Sequence, residues 1–333
     1  MVHLLPLLLV ALLSPMAGAF DLQAHRGGRA LAPENTLPAF ANALSMGVDT
    51  LELDTGVTRD GVVVICHDPA LNPNVARAAD GQWIAKRGPA IHELTYVELS
   101  AYDVGRLNPA SSYARQFPEQ KPVDGTRIPR LAELFALVKK SGNTRVRFNI
   151  ETKISPAAPD ETLAPEPFTR ALLAVIHEAG MQDRVTIQSF DWRTLQIVQK
   201  QWPRIPAVYL TAQQKWLDNI AGPTPAEGRP SGPSAWTAGI QLQDHGSVPR
   251  MVKAAGGRIW SPYYGDVDAE KLREAKALGL ETVVWTVNQP DVIARMLDLG
   301  VEGIISDRPD LVRVEMGKRG MPLPAATPIK AGD

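Results

Sequence analysis

Short runs typical of β-strands alternate with amphipathic helical stretches along most of the chain after Phe20. Such alternation is typical of βα units, in which helices cover a parallel sheet. Several helical stretches end at a glycine, the residue that most readily adopts the left-handed C-terminal cap. About eight repeats of this kind fit one closed (β/α)₈ barrel better than two doubly wound halves. We therefore predict an α/β protein with the TIM-barrel fold.

The strand pattern recurs ten times along the chain. The runs are residues 21–25, 50–54, 62–67, 145–151, 184–189, 207–210, 239–243, 258–261, 281–287 and 303–307. The third run is joined to the second by the turn-forming sequence Arg59-Asp60-Gly61. We therefore interpret the third run as a hairpin return and not as a strand of the barrel.

Three stretches depart from the repeat. Residues 68–127 are rich in Pro, Gly and Asn and lie between a barrel strand and the next helix, so we predict a small inserted subdomain over the mouth of the barrel, after the second strand region. Residues 211–237 contain many turn formers and predict an exposed loop. The domain is expected to end at Lys318, and residues 319–333 are expected to form a disordered tail.

The N-terminus has the pattern of a secretory signal. Residues 4–13 are almost wholly apolar, Pro15 ends the run, and residues 17–19 are Ala-Gly-Ala, the small residues that signal peptidase requires. A run this short cannot cross a bilayer core of about 30 Å, and no later segment is long and apolar enough to do so. We expect residues 1–19 to be a signal peptide and residues 20–318 to form a secreted or periplasmic domain without stable membrane insertion.

Charge and cysteine content exclude some classes of protein. With 35 basic and 36 acidic side chains, the chain lacks the positive footprint that nucleic-acid binding needs. We expect a small-molecule partner, and the sequence does not indicate an oligomeric state. The single cysteine, Cys66, cannot form an intramolecular disulfide and has no CxxC partner for zinc or redox chemistry. The fold must therefore rest on its apolar core.

Acidic side chains occur at the ends of two predicted strands. Glu52 and Asp54 are two residues apart, so both point to one face of their strand, and Glu151 and Lys153 repeat this spacing. In a barrel that face is the lumen, near the strand ends where barrel enzymes build their sites. Each acid alone could form a salt bridge with a basic residue of the lumen. Occurring together without Cys or neutral His, the three carboxylates favour a hard cation such as Mg²⁺ or Ca²⁺.

Two histidines and two cations accompany these acids. His25 and His67 each end a predicted strand, and a pair of imidazoles with pKa values near neutrality can accept one proton and donate another. Arg26 can clamp two phosphoryl oxygens, while Lys153 supplies a point charge. Together these groups fit an anionic tetrahedral substrate such as a phosphate diester, although the two cations could simply neutralise the carboxylates.

Seven segments in order match one enzyme family. They are HRGGRALAPENTLPAF (25–40), LELD (51–54), HD (67–68), NIETK (149–153), QSFD (188–191), VVWTVN (283–288) and GVEGIISDRPD (300–310). In their sequences, order and spacing, these segments closely resemble the motifs of the glycerophosphodiester phosphodiesterases. Together they span most of the chain after residue 20. The resemblance implies a phosphoric diester hydrolase on a (β/α)₈ barrel with a small insertion, dependent on one divalent cation, Mg²⁺ or Ca²⁺.

The resemblance also implies roles for particular residues. By motif, it implies that the metal ligands are Glu52, Asp54 and Glu151 and that the acid/base pair is His25 and His67. It implies phosphate contacts at Arg26, Lys153 and Glu34. The glycerol or alcohol side of the site would be lined by Phe190 and Trp285. Alternatively, Asn35 and Thr36 in the same segment as Glu34 could cap the helix that follows. Phe190 and Trp285 could likewise be ordinary core residues.

The expected reaction is hydrolysis of glycerophosphodiesters such as glycerophosphocholine or glycerophosphoethanolamine to glycerol 3-phosphate and an alcohol. Water or a neighbouring glycerol hydroxyl could attack, the latter through a cyclic phosphate. An alternative is a lipid phosphodiesterase acting on lysophospholipid or phosphoinositide head groups, for which Trp83 and Tyr96 could form an apolar ramp. A third reading is an exported binding protein, but a pure binder gains little from the pair His25 and His67.

Overall fold

The barrel strands are short and lie in the order expected from the sequence. The structure, a computed structural model, describes residues 20–222 and 232–329. Its strands are β1 (Asp21–Ala24), β2 (Thr50–Val57), β3 (Val63–Ile65), β4 (Arg147–Thr152), β5 (Val185–Ser189), β6 (Ala207–Thr211), β7 (Gln213–Gln214), β8 (Leu217–Asp218), β9 (Ile259–Pro262), β10 (Glu281–Val284) and β11 (Gly303–Ser306). Eight of them, β1, β2, β4, β5, β6, β9, β10 and β11, pair in parallel in that order, and β11 pairs with β1 to close the cylinder. The predicted (β/α)₈ barrel is confirmed.

A layer of helices surrounds the cylinder. The helices are α1 (Leu37–Met46), α2 (Tyr96–Leu99), α3 (Leu131–Lys140), α4 (Pro165–Glu178), α5 (Trp192–Gln201), α6 (Leu242–His245), α7 (Val248–Ala254), α8 (Ala269–Ala277), α9 (Pro290–Leu299) and α10 (Pro309–Lys318). Each barrel strand is followed by one long outer helix, and α2 and α6 are short additions. None of the helices in the described part of the chain has both the length and the apolar character that crossing a bilayer requires.

Strand periodicity separates the core from the lumen. Leu51 and Leu53 on β2 and Ile150 on β4 are fully buried in the main apolar core between the strands and the helices. Their neighbours face the opposite way, so Asn149 donates hydrogen bonds across the lumen to Gln23 and Gln188, each 2.9 Å long. The apolar faces of the strands thus pack against the helices, while polar side chains fill the floor of the barrel.

The structure confirms one detail of the strand prediction and corrects another. β3 pairs antiparallel with β2, as expected for a hairpin return. The strand predicted at residues 239–243 is wrong. Ala238 and Gly239 both have positive φ, 52° and 88°, which ends any extended run there. The apolar and polar alternation then leads into the short helix α6 and not into a strand.

The segment from residue 68 to residue 127 builds a small satellite of the barrel. Its apolar side chains form a separate cluster that includes Leu71, Ile91 and Leu99. Pro69 contributes to the wall of the main cavity described below, and Tyr113 reaches residues beside that cavity. The segment therefore flanks the mouth, and its contact with the site is through few residues.

The described part of the C-terminal tail, for which the sequence predicts disorder, lies against the barrel. The backbone N–H of Thr327 donates to the carbonyl of Leu44 on α1 at 2.8 Å, and the Thr327 hydroxyl accepts from Asn143 at 2.9 Å. Ile329 packs on the core. An extended Pro- and Ala-rich chain needs few such contacts to lie along a helix. Residues 330–333, the predicted signal at 1–19 and residues 223–231 of the predicted loop lie outside the described residues.

The N-cap of α1 makes a contribution to the free energy of unfolding that can be measured. Thr36 is its N-cap, with its hydroxyl accepting from the Ala39 N–H at 3.3 Å, and its side chain is fully buried. We expect Thr36→Ala to lower the free energy of unfolding by about 1 kcal/mol, because the helix loses its cap. Thr36→Ser keeps the hydroxyl and is expected to retain most of that stability in urea titrations. Equal losses in the two variants would contradict the capping role.

Candidate active site

A large cavity opens at the carboxyl ends of the barrel strands. It has a volume of about 690 Å³. Its walls differ in chemistry from one side to the other. All the charged residues of the described lining lie on or after β1, β2 and β4, whereas the residues that follow β5, β6, β9 and β10 include many aromatic rings. This is the end of a (β/α)₈ barrel where catalytic residues collect.

Three carboxylates meet in the charged half. Glu52, Asp54 and Glu151 each offer an oxygen within 4.8 Å of the others, and all three are buried. The register of the sheet explains their meeting, because β2 and β4 run parallel with Asp54 directly beside Glu151. The side-chain alternation along β2 places Glu52 one step below Asp54 on the same face. The convergence predicted from the sequence is therefore present in the structure.

Fixed donors hold two of these carboxylates in place. Glu52 accepts from the backbone N–H of Arg26 at 2.8 Å and from the Gln188 side-chain amide at 2.6 Å. Asp54 accepts from the side-chain amide of Asn35 at 2.9 Å. Asn35 thus orients a carboxylate, and of the two residues considered as helix caps only Thr36 has that role.

The cluster has more negative charge than its surroundings compensate. Burial and the neighbouring Asp54 raise the pKa of Glu52 well above its usual value. Burial also raises the pKa of Glu151 to about 7, despite the opposing charge of Lys153. For Asp54 burial acts in the same direction but is outweighed by the combined charges of Arg26, His67 and Lys153, so its pKa is lowered. A divalent cation between the three groups would supply the missing positive charge, and an all-oxygen donor set suits Mg²⁺ or Ca²⁺.

A left-handed turn after β1 brings the first histidine and its neighbour into the site. Arg26 has φ 51° and ψ 34°, and Gly27 follows at φ 81°. A Cβ on Gly27 would lie 2.8 Å from the Cβ of Ala39, so only glycine allows α1 to approach this closely. The turn points the Arg26 N–H at Glu52, which explains why a non-glycine residue keeps a sparsely populated conformation here.

His25 lies between the carboxylate cluster and Asp307. Its Nδ1 donates to the Asp307 carboxylate at 2.5 Å, and its Nε2 lies 3.9 Å from Glu52. Arg29 and Asn288 also donate to Asp307, at 2.7 Å and 2.8 Å. Burial, with a smaller contribution from Arg29, lowers the pKa of His25 to about 4 although Asp307 opposes the shift. The imidazole is thus neutral near pH 7, with Nε2 turned to the cluster as an acceptor.

His67 follows β3, lines the same cavity and is more accessible than His25. Its side chain is 31% exposed, against 12% for His25. Its Nδ1 is 3.1 Å from Asp68, and Asn72 in turn donates to Asp68 at 2.6 Å. Burial and the nearby charges of Arg26 and Lys153 lower its pKa. Both predicted histidines therefore line the cavity, and each is oriented by a carboxylate.

The predicted phosphate contacts occupy different positions. Lys153 lies 2.9 Å from Glu151 and 3.9 Å from Asp54, and lines the cavity. Arg26 also lines it, with Nη1 donating to Glu34 at 2.8 Å. Glu34 does not reach the main cavity. Its carboxylate accepts hydrogen bonds from Arg26 and from the hydroxyl of Tyr113, and so orients the Arg26 guanidinium.

Phe190 and Trp285 face the cavity and are half-buried, so they are not ordinary core residues. Their rings lie 5.3 Å apart and nearly perpendicular. The Lys153 ammonium is 5.9 Å from the Phe190 centroid, which joins the aromatic half of the cavity to the charged half. By contrast, Trp83 and Tyr96 are not among the residues that line the cavity, so the apolar ramp expected from them is absent among the described residues.

The groups that orient the site residues were not predicted from the sequence. Asp307, Asn35 and Gln188 each bind a predicted site residue, and Arg29 and Asn288 in turn bind Asp307, yet none of the five was singled out as a site residue. Asp307 carried a readable signal, because it is an acid directly after the last predicted strand.

Comparisons with known proteins agree with this geometry. Residues 25–311 match the model of the Glycerophosphoryl diester phosphodiesterase family. A crystal structure from Silicibacter pomeroyi DSS-3, named after the same family, has 34% identity and a TM-score of 0.78 over 91% of this chain and 95% of that one. A "Glycerophosphodiester phosphodiesterase" of Caldanaerobacter subterraneus is 27% identical over 86% of this chain and 93% of its own length, and one of Bacillus subtilis is 28% identical over 86% and 83%. The chain belongs to the glycerophosphoryl diester phosphodiesterase family.

Proposed function

We propose that this enzyme hydrolyses glycerophosphodiesters, such as glycerophosphocholine and glycerophosphoethanolamine, to glycerol 3-phosphate and an alcohol. The observation that carries the proposal is the buried cluster of Glu52, Asp54 and Glu151 at a cavity that His25 and His67 also line. Family membership supports the reaction class. The binding-protein alternative accounts poorly for two imidazoles that each have a carboxylate at Nδ1.

Glu52, Asp54 and Glu151 would hold one divalent cation, Mg²⁺ or Ca²⁺. Bound there, the cation supplies charge neutralisation at the phosphoryl group and a lowered pKa for a hydroxyl beside it. Gln188 and Asn35 keep two of the carboxylates in the orientation that such a site needs. The fit rests on the oxygen donor set and on the excess of buried negative charge.

Arg26 and Lys153 would bind the phosphoryl oxygens. Both lie at the edge of the cluster and face the cavity, and Glu34 fixes the guanidinium of Arg26 from behind. Fixed cations aimed at the phosphoryl group stabilise the charge that develops as the bond to the alcohol breaks.

His25 and His67 would move the two protons of the reaction. One imidazole takes the proton of the attacking hydroxyl, which belongs to water or to the neighbouring glycerol carbon, and the other returns a proton to the leaving alkoxide. Asp307 holds the Nδ1 proton of His25, which leaves Nε2 free to accept. We assign Asp307 a positioning role on this ground.

The test is turnover by purified protein. We expect glycerol 3-phosphate from glycerophosphocholine with added Mg²⁺ or Ca²⁺, no product in EDTA, and recovery when the metal is restored. A ³¹P spectrum recorded during turnover would reveal a cyclic phosphate if the glycerol hydroxyl attacks. Tight binding with unchanged substrate would contradict the proposal, as would full activity in EDTA. Faster turnover of micellar lysophospholipid than of the deacylated diester would favour the lipid phosphodiesterase alternative.

We also propose that the protein is exported, with residues 1–19 removed as a signal peptide. The support is the apolar run before Ala17-Gly18-Ala19. N-terminal sequencing of the protein from the periplasm or medium is expected to begin at Phe20. Recovery of the full-length chain in the cytosol alone would contradict export.

A further inference from the structure

The aromatic half of the cavity is more elaborate than core packing explains. Phe190 follows β5, Trp216 and Trp236 follow β6, Tyr263 follows β9 and Trp285 follows β10, so four consecutive barrel strands each contribute at least one ring to the wall. Trp216 is 60% exposed, although tryptophan is usually well buried. Because this exposed ring continues the aromatic lining of the cavity, it extends one contiguous apolar surface that a ligand can reach.

The rings meet as perpendicular faces and not as a flat ramp. Trp216 lies 5.4 Å from Tyr263 and 6.1 Å from Trp285, with interplanar angles of 84° and 81°. Tyr263 and Trp285 complete the triangle at 5.7 Å. Perpendicular faces can contact a compact, roughly spherical group from more than one side, whereas an extended acyl chain needs only a continuous apolar strip.

The chemistry of this half favours a cation that makes no hydrogen bonds. Of the described cavity-lining residues contributed after β5, β6, β9 and β10, none carries a charge. The indole N–H of Trp285 is already donated to the carbonyl of Ser261 at 2.9 Å. A polyol head group held against these rings would lose hydrogen bonds to water that the ring faces do not replace. A quaternary ammonium loses none and is attracted by ring faces within about 6 Å.

We propose that this aromatic wall, Phe190, Trp216, Tyr263 and Trp285, binds the alcohol end of the substrate and selects a quaternary ammonium head group. The inference rests on the proposed function. Hard oxygen ligands and fixed cations at β1, β2 and β4 suit the phosphoryl group and the glycerol hydroxyls. The Lys153 and Phe190 contact places the wall next to the phosphoryl site, so a head group a short linker away from phosphorus reaches it.

The decisive test compares three diesters that differ only in the alcohol. They are glycerophosphocholine, its uncharged isostere with 3,3-dimethylbutanol, and glycerophosphoglycerol. We expect kcat/KM for the choline ester to exceed that for the isostere by about tenfold, because the two alcohols share a shape but only one has the charge. Trp216→Leu is expected to lower kcat/KM for the choline ester by about tenfold and for glycerophosphoglycerol by less than about twofold. Trp216→Phe, which keeps a ring face, is expected to restore most of the preference.

Trp83→Leu is the matched control. Trp83 lies in the inserted segment against Arg77, away from the cavity, so its replacement is expected to leave all three rates unchanged. Equal rates for the choline ester and its isostere would overturn the proposal. So would an equal loss on all three diesters in Trp216→Leu.

A binding measurement separates this inference from the proposed function. In EDTA, where no turnover is expected, phosphocholine is expected to change the tryptophan fluorescence saturably and phosphoethanolamine to do so at about tenfold higher concentration. The protein could bind phosphocholine saturably, and less tightly as Trp216→Leu, yet be inactive on every diester. That result would support head-group binding by the aromatic wall and contradict the proposed function. Equal binding of phosphocholine and phosphoethanolamine would overturn the proposed selection by the aromatic wall, whether or not the protein is active on diesters.

Discussion

Replacing Glu151 by glutamine is expected to lower kcat/KM on the order of a thousandfold, which corresponds to about 4 kcal/mol of transition-state stabilisation. Glutamine has the same shape, and its carbonyl oxygen can still accept the hydrogen bond that Lys153 donates at 2.9 Å. The variant therefore changes chiefly the charge of the cluster. With one carboxylate fewer, Glu52 and Asp54 would bind a divalent cation much more weakly.

The folded state without metal should tolerate this change. Burial raises the pKa of Glu151 to about 7, so the fold opposes the charge that glutamine removes. We expect the melting temperature in EDTA to be equal to or above that of the wild type, while the increase caused by Mg²⁺ or Ca²⁺ is largely lost. Glu178→Gln, at the exposed end of α4 after the same strand, is the control and is expected to change neither quantity. Wild-type activity or an undiminished metal-dependent stabilisation in Glu151→Gln would exclude the carboxylate cluster as the metal site.

The carboxylate cluster was predictable because it depends on rules of short range. Alternation along a strand fixes the faces of Glu52 and Asp54, and parallel barrel strands bring their carboxyl ends to one rim. The meeting with Glu151 then needs only β4 to lie beside β2, which the order of strands in a (β/α)₈ barrel provides. The same logic succeeds for His25 and His67, which end strands at that rim.

The site-orienting residues that were not predicted either contact partners far away in the sequence or lie on irregular backbone. Asp307 binds His25 across 282 positions, and Gln188 binds Glu52 across 136. Such pairs follow from barrel closure and from exact side-chain geometry, neither of which local periodicity contains. Asn35 depends on a left-handed conformation at φ 57°, and Trp216 lies on the short β7–β8 hairpin. The contact between Glu34 and Tyr113, which lies in the inserted segment, likewise follows from no local pattern.

The strongest test of the proton-transfer machinery combines two variants. We expect His25→Ala to lower kcat by about 10³-fold, within the range for loss of a general acid or base. Asp307→Asn is expected to cost about 10²-fold, because an amide N–H facing Nδ1 would stabilise the tautomer whose Nε2 carries a proton and cannot accept one. Asp310→Asn, three residues later and paired with Arg308, is the control and is expected to be nearly silent.

The double variant distinguishes positioning from direct participation. If Asp307 acts through the imidazole, His25→Ala/Asp307→Asn is expected to match His25→Ala within about twofold, because no imidazole remains to be oriented. Added imidazole is then expected to rescue the His25→Ala enzyme but not Asp307→Asn, whose own imidazole still occupies the site. Additive losses in the double variant would mean that Asp307 contributes independently of His25, through Arg29 or the substrate. In that case the 2.5 Å contact between Asp307 and His25 would be structural, and the assignment of His25 as an oriented acceptor would fail with it.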